Sequence, residues 1–183
     1  LFCANLVPML QSKVLEQATG RRLSMLDSMN LWIEIAKDDL LSVMKRVDLI
    51  IINDGEVRML AQDDNLIRAS RTLIEMVGCQ TLIIKKGENG VVAFHNGEII
   101  SLPAYPTEKV VDPTGCGDSF AGTIAAFLAS NDGELTRNEL REALVRATVT
   151  ASFTLESFGT SGLLALDNEM FNSRLIEFET ILS

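Results

Sequence analysis

The sequence predicts an α/β fold of three α/β/α layers, with a mostly parallel sheet and a late antiparallel hairpin. Strand-like apolar runs alternate with amphipathic helical stretches along the chain, and a βαβα order implies parallel strands joined by helices on both faces. The runs at residues 47–53 and 81–86 are rich in β-branched residues with little polar alternation, as in strands covered on both sides. Asn96-Gly97 parts two short apolar runs, the signal of a tight hairpin.

Taken in order, residues 1–6 read as a buried strand, 9–19 as a helix and 22–27 as a second strand. Residues 39–46 form a short helix that leads into the strand 47–53. Helices follow at 56–61 and 66–77, the second ended by Gly78. The strand 81–86 precedes hairpin strands at 90–94 and 99–102, with His95 solvated beside the turn. After a loop at 103–113, residues 115–129 are apolar around most of a helical circumference, which predicts a buried helix. Helices at 135–158 and 168–182 complete the chain. No repeat, low-complexity tract or linker interrupts it, so residues 1–183 read as one domain.

Composition narrows the function. The chain has 183 residues, 47% apolar and 22% charged, with net charge −9, within the range of soluble globular proteins. That charge disfavours nucleic acid and anionic membranes as partners, because both require a basic surface. Cys3, Cys79 and Cys116 are odd in number and form no CxxC pair, which points to a reducing cytoplasm. A single histidine disfavours a His-rich zinc site. No apolar run approaches the ~18 residues of a membrane span.

The stretch with most chemistry is Val111-Asp112-Pro113-Thr114-Gly115-Cys116-Gly117-Asp118-Ser119-Phe120-Ala121-Gly122. Pro113 biases Asp112 towards an extended backbone, so the segment arrives as a loop. Thr114 is a good N-cap. Gly115, Cys116 and Gly117 then open a helix whose first amides lack carbonyl partners and are unshielded by large side chains, an arrangement that attracts phosphate. Asp118 in the first turn has a structural reading, as an acid favourably placed against the helix dipole at ~0.3–1 kcal/mol. The whole arrangement favours another: phosphoryl transfer to an alcohol needs an anion hole and, beside it, a base for the hydroxyl.

Asp-Pro-Thr-Gly-Cys-Gly-Asp-Ser-Phe-Ala-Gly resembles the C-terminal signature of the ribokinase-like (PfkB) sugar and nucleoside kinases, with Cys116 in place of the usual alanine. The resemblance implies the ribokinase-like form of the predicted fold, ATP as phosphoryl donor, and magnesium. It makes Asp118 the catalytic base and the amides of Gly115, Cys116 and Gly117 the anion hole. Asn53-Asp54-Gly55-Glu56 resembles the family's NxxE motif, whose acid helps to organise magnesium through water; the structural alternative for Glu56 is an ordinary first-turn residue. Lys85-Lys86-Gly87-Glu88-Asn89-Gly90 resembles the turn beside the nucleotide phosphates, which puts Lys85 and Gly87 near ATP; solvated strand-end lysines are the alternative. Similarity of the helix at 140–158 to the segment over adenine places Thr148 by the base. It also sets Asp112, Thr114 and Gly159 near a monovalent cation such as potassium, with a polar residue on a packed helix and a helix C-cap as alternatives. Asp27-Ser28-Met29-Asn30-Leu31-Trp32 is similar to a DxNxRxxLW stretch without its Arg, leaving Asp27 and Asn30 as candidates and Trp32 as core.

The implied reaction is ATP-dependent phosphorylation of a small-molecule sugar or nucleoside. Two alternatives share the fold: a non-catalytic nucleotide-binding module, and a kinase of vitamins or pyrimidines. The family's N-terminal Gly-rich motif and small lid sheet have no counterpart here, and the opening strand-like run suggests that the N-terminal part of the fold is missing. The expectation is a fragment that is inactive or a poor catalyst alone, with substrate identity beyond reach. An unpaired sheet edge would then need cover, and a homodimer is one way to supply it.

Overall fold

The computed structural model describes residues 1–183, which fall into two compact units: Leu1–Lys86 with Val92–Ile100, and Gly87–Val91 with Ser101–Ser183. The strands are β1 (Phe2–Cys3), β2 (Met25–Asp27), β3 (Leu49–Asn53), β4 (Thr81–Lys85), β5 (Val91–His95) and β6 (Glu98–Leu102), in one sheet that follows sequence order. Strands β1 to β4 pair in parallel, and the late strands are antiparallel. The predicted fold class is therefore observed.

In the first unit the helices are α1 (Pro8–Gln17), α2 (Asn30–Ile35), α3 (Lys37–Met44), α4 (Asp54–Ala61) and α5 (Leu66–Val77). Helix α5 matches its prediction because its end signals are unambiguous. The Asn65 side chain accepts from the Arg68 amide at 3.0 Å, and Gly78 closes the helix at φ 70°, a left-handed position suited to glycine. Ala69, Leu73 and Val77, on one face, are buried in the core with Ile50, Ile52 and Leu82. The alternate strand residues Leu49, Ile51 and Ile83 are fully buried too, so β3 and β4 are covered on both faces as predicted.

Several details differ from the sequence prediction. Strand β1 is two residues long, because Pro8 starts a helix soon after it. Helix α2 was not predicted; at six residues it is too short to show a helical period. His95 is buried rather than solvated, its Nδ1 2.9 Å from Thr81 Oγ1. That hydrogen bond compensates the burial of both polar groups. Trp32 is half-buried at the rim of the core, and its Nε1 donates to Asn5 Oδ1 at 2.8 Å. The predicted hairpin is present: Asn96 at φ 49° and Gly97 at φ 85° are the two left-handed residues of a type I′ turn.

The second unit contains α6 (Cys116–Ser130), α7 (Arg137–Leu155), α8 (Ser161–Leu164) and α9 (Asn168–Ile181). Helix α6 is buried on one face only, through Phe120, Ala121, Ile124 and Leu128, while Asp118, Gly122 and Ala126 are exposed. The expectation of a buried helix is thus corrected to one buried face: many of its apolar residues are small, and small apolar residues tolerate water.

Gly90 gives a test of the backbone path. It stands at φ 80°, and a Cβ there would lie 2.1 Å from the Leu102 carbonyl oxygen and 2.5 Å from the Pro103 carbonyl carbon. Gly90→Ala is expected to lower stability by about 2–3 kcal/mol, read from the urea midpoint; an unchanged midpoint would show that the chain does not pass so close.

Candidate active site

The first unit gathers its polar residues at the carboxyl ends of β2, β3 and β4, the edge where open α/β sheets bind ligands. Asn53 ends β3 in register with Lys85 of β4, and Asp27 ends β2 opposite Ile51. Lys85 Nζ lies 3.1 and 3.2 Å from the two carboxylate oxygens of Asp27. Since β3 runs between β2 and β4, the Lys85 side chain crosses the end of β3. Asp27 is 4% exposed, and its Oδ1 also accepts from the Ser28 amide at 2.9 Å.

Asn53 and Glu56 form a reciprocal capping box on α4. Asn53 Oδ1 accepts from the Glu56 amide at 2.8 Å, and Glu56 Oε2 accepts from the Asn53 amide at 2.8 Å. The structural alternative for Glu56 is therefore realised, and it leaves Oε1 over. Glu56 is 3% exposed. Burial drives its carboxyl up to about 7, against the lowering effects of the Asn53 amide and the Lys85 charge, while Asp27 adds to the rise.

Magnesium can be tested against this donor set. Nowhere do three His, Cys, Asp or Glu side chains gather into a group able to hold a metal ion. One remaining carboxylate oxygen does not make a protein cage. It does suit a hydrated ion carried by nucleotide phosphates, since magnesium keeps much of its water.

The second unit carries the glycine-flanked turn. Asp112 Oδ1 accepts from the Thr114 amide at 2.9 Å, closing a local Asx turn. Cys116 N donates to the Pro113 carbonyl at 3.2 Å, Gly115 stands at φ 83°, and the first helical bond runs from Ser119 N to Gly115 O at 2.9 Å. Two expectations change. Thr114 is not the N-cap; Gly115 occupies that position and no side chain caps the helix. The Cys116 amide is already used within the turn, which leaves the amides of Gly115, Gly117 and Asp118 without helical acceptors. The Cys116 thiol lies 3.6 Å from the Ala151 carbonyl, and burial together with the Asp112 charge raises its pKa.

Asp118 is exposed in the first turn of α6, as predicted. Thr148 is buried in α7, and its hydroxyl donates to the Leu144 carbonyl at 2.8 Å. Helix α7 ends at Leu155 rather than at residue 158, so Gly159, at φ 59°, lies in the following turn and is not the C-cap. Gly87, at φ 55°, opens a short 3₁₀ turn, Gly87–Asn89. Asn30 begins α2.

Sequence reasoning missed a second polar group. Arg174 of α9 stacks 3.7 Å over the Phe153 ring centroid and 4.9 Å over that of Tyr105, and it donates to Glu156 Oε2 and Ser152 Oγ, each at 2.9 Å. Its members lie far apart in the chain and show no local motif.

The family model described as pfkB family carbohydrate kinase matches residues 10–165. The chain belongs to the pfkB family. Among pfkB relatives, it is 34% identical to a cytidine kinase of Thermococcus kodakarensis over 124 residues, 65% of this chain and 42% of that protein. It is 33% identical to fructokinase-2 of Oryza sativa over 112 residues, 61% of this chain and 33% of that protein. The crystal structure of a Thermotoga maritima ribokinase superposes with a TM-score of 0.74 at 22% identity, over 96% of this chain and 56% of that one. The pfkB chain thus spans half or less of the curated relatives it matches, and the superposition establishes the ribokinase-like fold.

The buried carboxyl of Glu56 makes a pH prediction. The folded state holds its proton more tightly than an unfolded chain, whose value is near 4.5. Stability attached to this group is therefore complete below that value and is lost as pH rises towards about 7. Glu56→Gln keeps the capping geometry and should flatten the dependence of the urea midpoint on pH between about 5 and 7. An unaltered slope would mean that Glu56 is not the group responsible.

Proposed function

We propose that this chain is the ATP-binding and phosphotransfer part of a kinase that phosphorylates an alcohol group of a sugar or nucleoside. The observation that carries the proposal is the turn from Asp112 to Asp118: a left-handed glycine, amides without helical acceptors and an exposed carboxylate within one turn of helix. Membership of the pfkB family supports the same chemistry.

In the proposed reaction, the acceptor hydroxyl oxygen forms a bond to the γ-phosphorus while the bond from that phosphorus to the β,γ-bridging oxygen breaks and ADP departs. Asp118 receives the hydroxyl proton. The amides of Gly115, Gly117 and Asp118 oppose the charge on the transferring oxygens, which is worth most when donors are fixed beforehand. The Asx turn at Asp112 and the bond between Cys116 and Pro113 supply that fixing. Magnesium neutralises phosphate charge when bound, and Glu56 with Asn53 is the proposed water-bridged contact for it.

ATP contact is proposed for Gly87 and Thr148, Thr148 by packing because its hydroxyl is committed to Leu144. Lys85 is assigned to the electrostatic field rather than to direct contact, because its ammonium is engaged by the Asp27 carboxylate. The carbonyls of Thr114 and Gly159, with Asp112, are the proposed setting for a monovalent cation, which a potassium titration of activity checks. Three free thiols, two of them buried, support a reducing compartment.

The test is phosphotransfer from ATP to a panel of sugars and nucleosides by the full-length polypeptide that carries this chain. Asp118→Asn is expected to lower turnover about 10²–10⁴-fold while the ATP dissociation constant stays nearly the same. Near-normal turnover in the variant removes the base, and with it the mechanism. Nucleotide binding without turnover on any acceptor would favour a non-catalytic module.

A further inference from the structure

The loop at 103–113 delivers the glycine-flanked turn, yet no residue in it belongs to a helix or strand. Its position is set by side chains and by two backbone bonds. Val111 N and Asp112 N both donate to the Leu155 carbonyl, at 2.9 and 3.2 Å. Thr107 Oγ1 donates to Glu156 Oε1 at 2.7 Å, and the Lys109 amide donates to Thr107 Oγ1 at 3.1 Å. The loop is thus held against the last residues of α7.

What holds those last residues is Arg174. Its guanidinium lies over the rings of Phe153 and Tyr105, the latter near the start of the loop, and donates hydrogen bonds to Ser152 and Glu156. Tyr105 is fixed from α9 as well: its hydroxyl donates to Glu177 Oε2 at 2.7 Å and its ring meets Phe178 edge-on at 5.8 Å. The Arg174 and Glu156 side chains are 18% and 17% exposed, so the pair is largely shielded, unlike a surface ion pair worth little. A planar guanidinium is the group that can stack on two rings and donate in its own plane at once. Residue 174 lies beyond the stretch 10–165 that matches the family.

We infer that Arg174 is a positioning residue, which from α9 sets the loop at 103–113 and so places the phosphate-binding turn; the consequence for ATP rests on the function proposed above. Arg174 touches no reacting atom. It acts through Glu156, Phe153 and Tyr105, and the pre-set turn binds phosphate without first having to be ordered.

The experiment compares the full chain with Arg174→Ala and Arg174→Lys, reading amide hydrogen exchange without nucleotide and ATP affinity by calorimetry. Arg174→Ala should speed exchange at Val111 and Asp112 by roughly tenfold or more, well below the melting temperature, and weaken ATP about fivefold or more. Arg174→Lys keeps the charge beside Glu156 without the stacked plane, and should fall between the two on both measures. Leu73→Ala, in the core of the first unit, controls for lost stability; it should lower the melting temperature and leave ATP affinity unchanged. The inference is overturned if exchange at Val111 and Asp112 is the same in Arg174→Ala. It is overturned equally if exchange rises but ATP affinity does not change. Should the unaltered chain bind no ATP, the proposed function fails at this turn, and the exchange comparison alone decides whether Arg174 sets the loop.

Discussion

The hydrogen bond from Cys116 N to the Pro113 carbonyl, with Gly115 at φ 83°, makes the chain turn abruptly from loop to helix. Because Gly115 has no side chain, nothing from that position covers the first amides of α6. A capping Ser or Asp would satisfy one of those donors internally, worth about 1 kcal/mol to the helix. Here that stabilisation is forgone, and the donors stay available for an external anion. The other features of the second unit serve this entry: the Asx turn before it, the bonds to Leu155 behind it, and the Arg174 group that holds Leu155's neighbours.

The first unit solves a different problem with the same economy of parts. Asn53 and Glu56 satisfy each other's backbone amides, so the helix start is stable without a ligand. The functional and structural readings of this pair are compatible, because a capping box uses one carboxylate oxygen and leaves the other. The cap also holds a carboxyl in a nearly dry place, where its charge is costly. Lys85, stretched across the end of β3 to Asp27, offsets part of that cost and is itself immobilised. An ammonium in that position acts on its surroundings through its field.

Much of this was legible in the sequence where a single local signal decides the outcome. Asn65 and Gly78 bound α5, Asn96-Gly97 makes the hairpin, and unbroken β-branched runs mark β3 and β4, since each is fixed by neighbours in the chain. The glycine-rich signature likewise located the turn and Asp118. What was not legible depends on tertiary partners. Whether His95 is wet or buried is decided by Thr81, which no local pattern reveals. That Lys85 belongs to Asp27 follows from strand order, and the contacts of Arg174 join a loop and two helices. The N-cap was misassigned for a related reason: Thr114 has the right chemistry, but the left-handed turn at Gly115 carries the chain past it.

Net charge of −9 looks ill-suited to a polyphosphate ligand, and the resolution lies in how individual acids are used. Asp27 is neutralised by Lys85, Glu156 by Arg174, and one oxygen of Asp112 is held by the Thr114 amide. Glu56 has a carboxyl raised by burial and a cap to maintain. These carboxylates are committed to the fold and present little free charge to an incoming phosphate. Asp118 alone among the acids discussed makes no hydrogen bond or ion pair, and it is exposed beside the uncapped amides. The helix dipole favours a carboxylate there by ~0.3–1 kcal/mol without any cap or ion pair. Left uncommitted, it is the one carboxylate of this set that the proposed reaction can use as its proton acceptor.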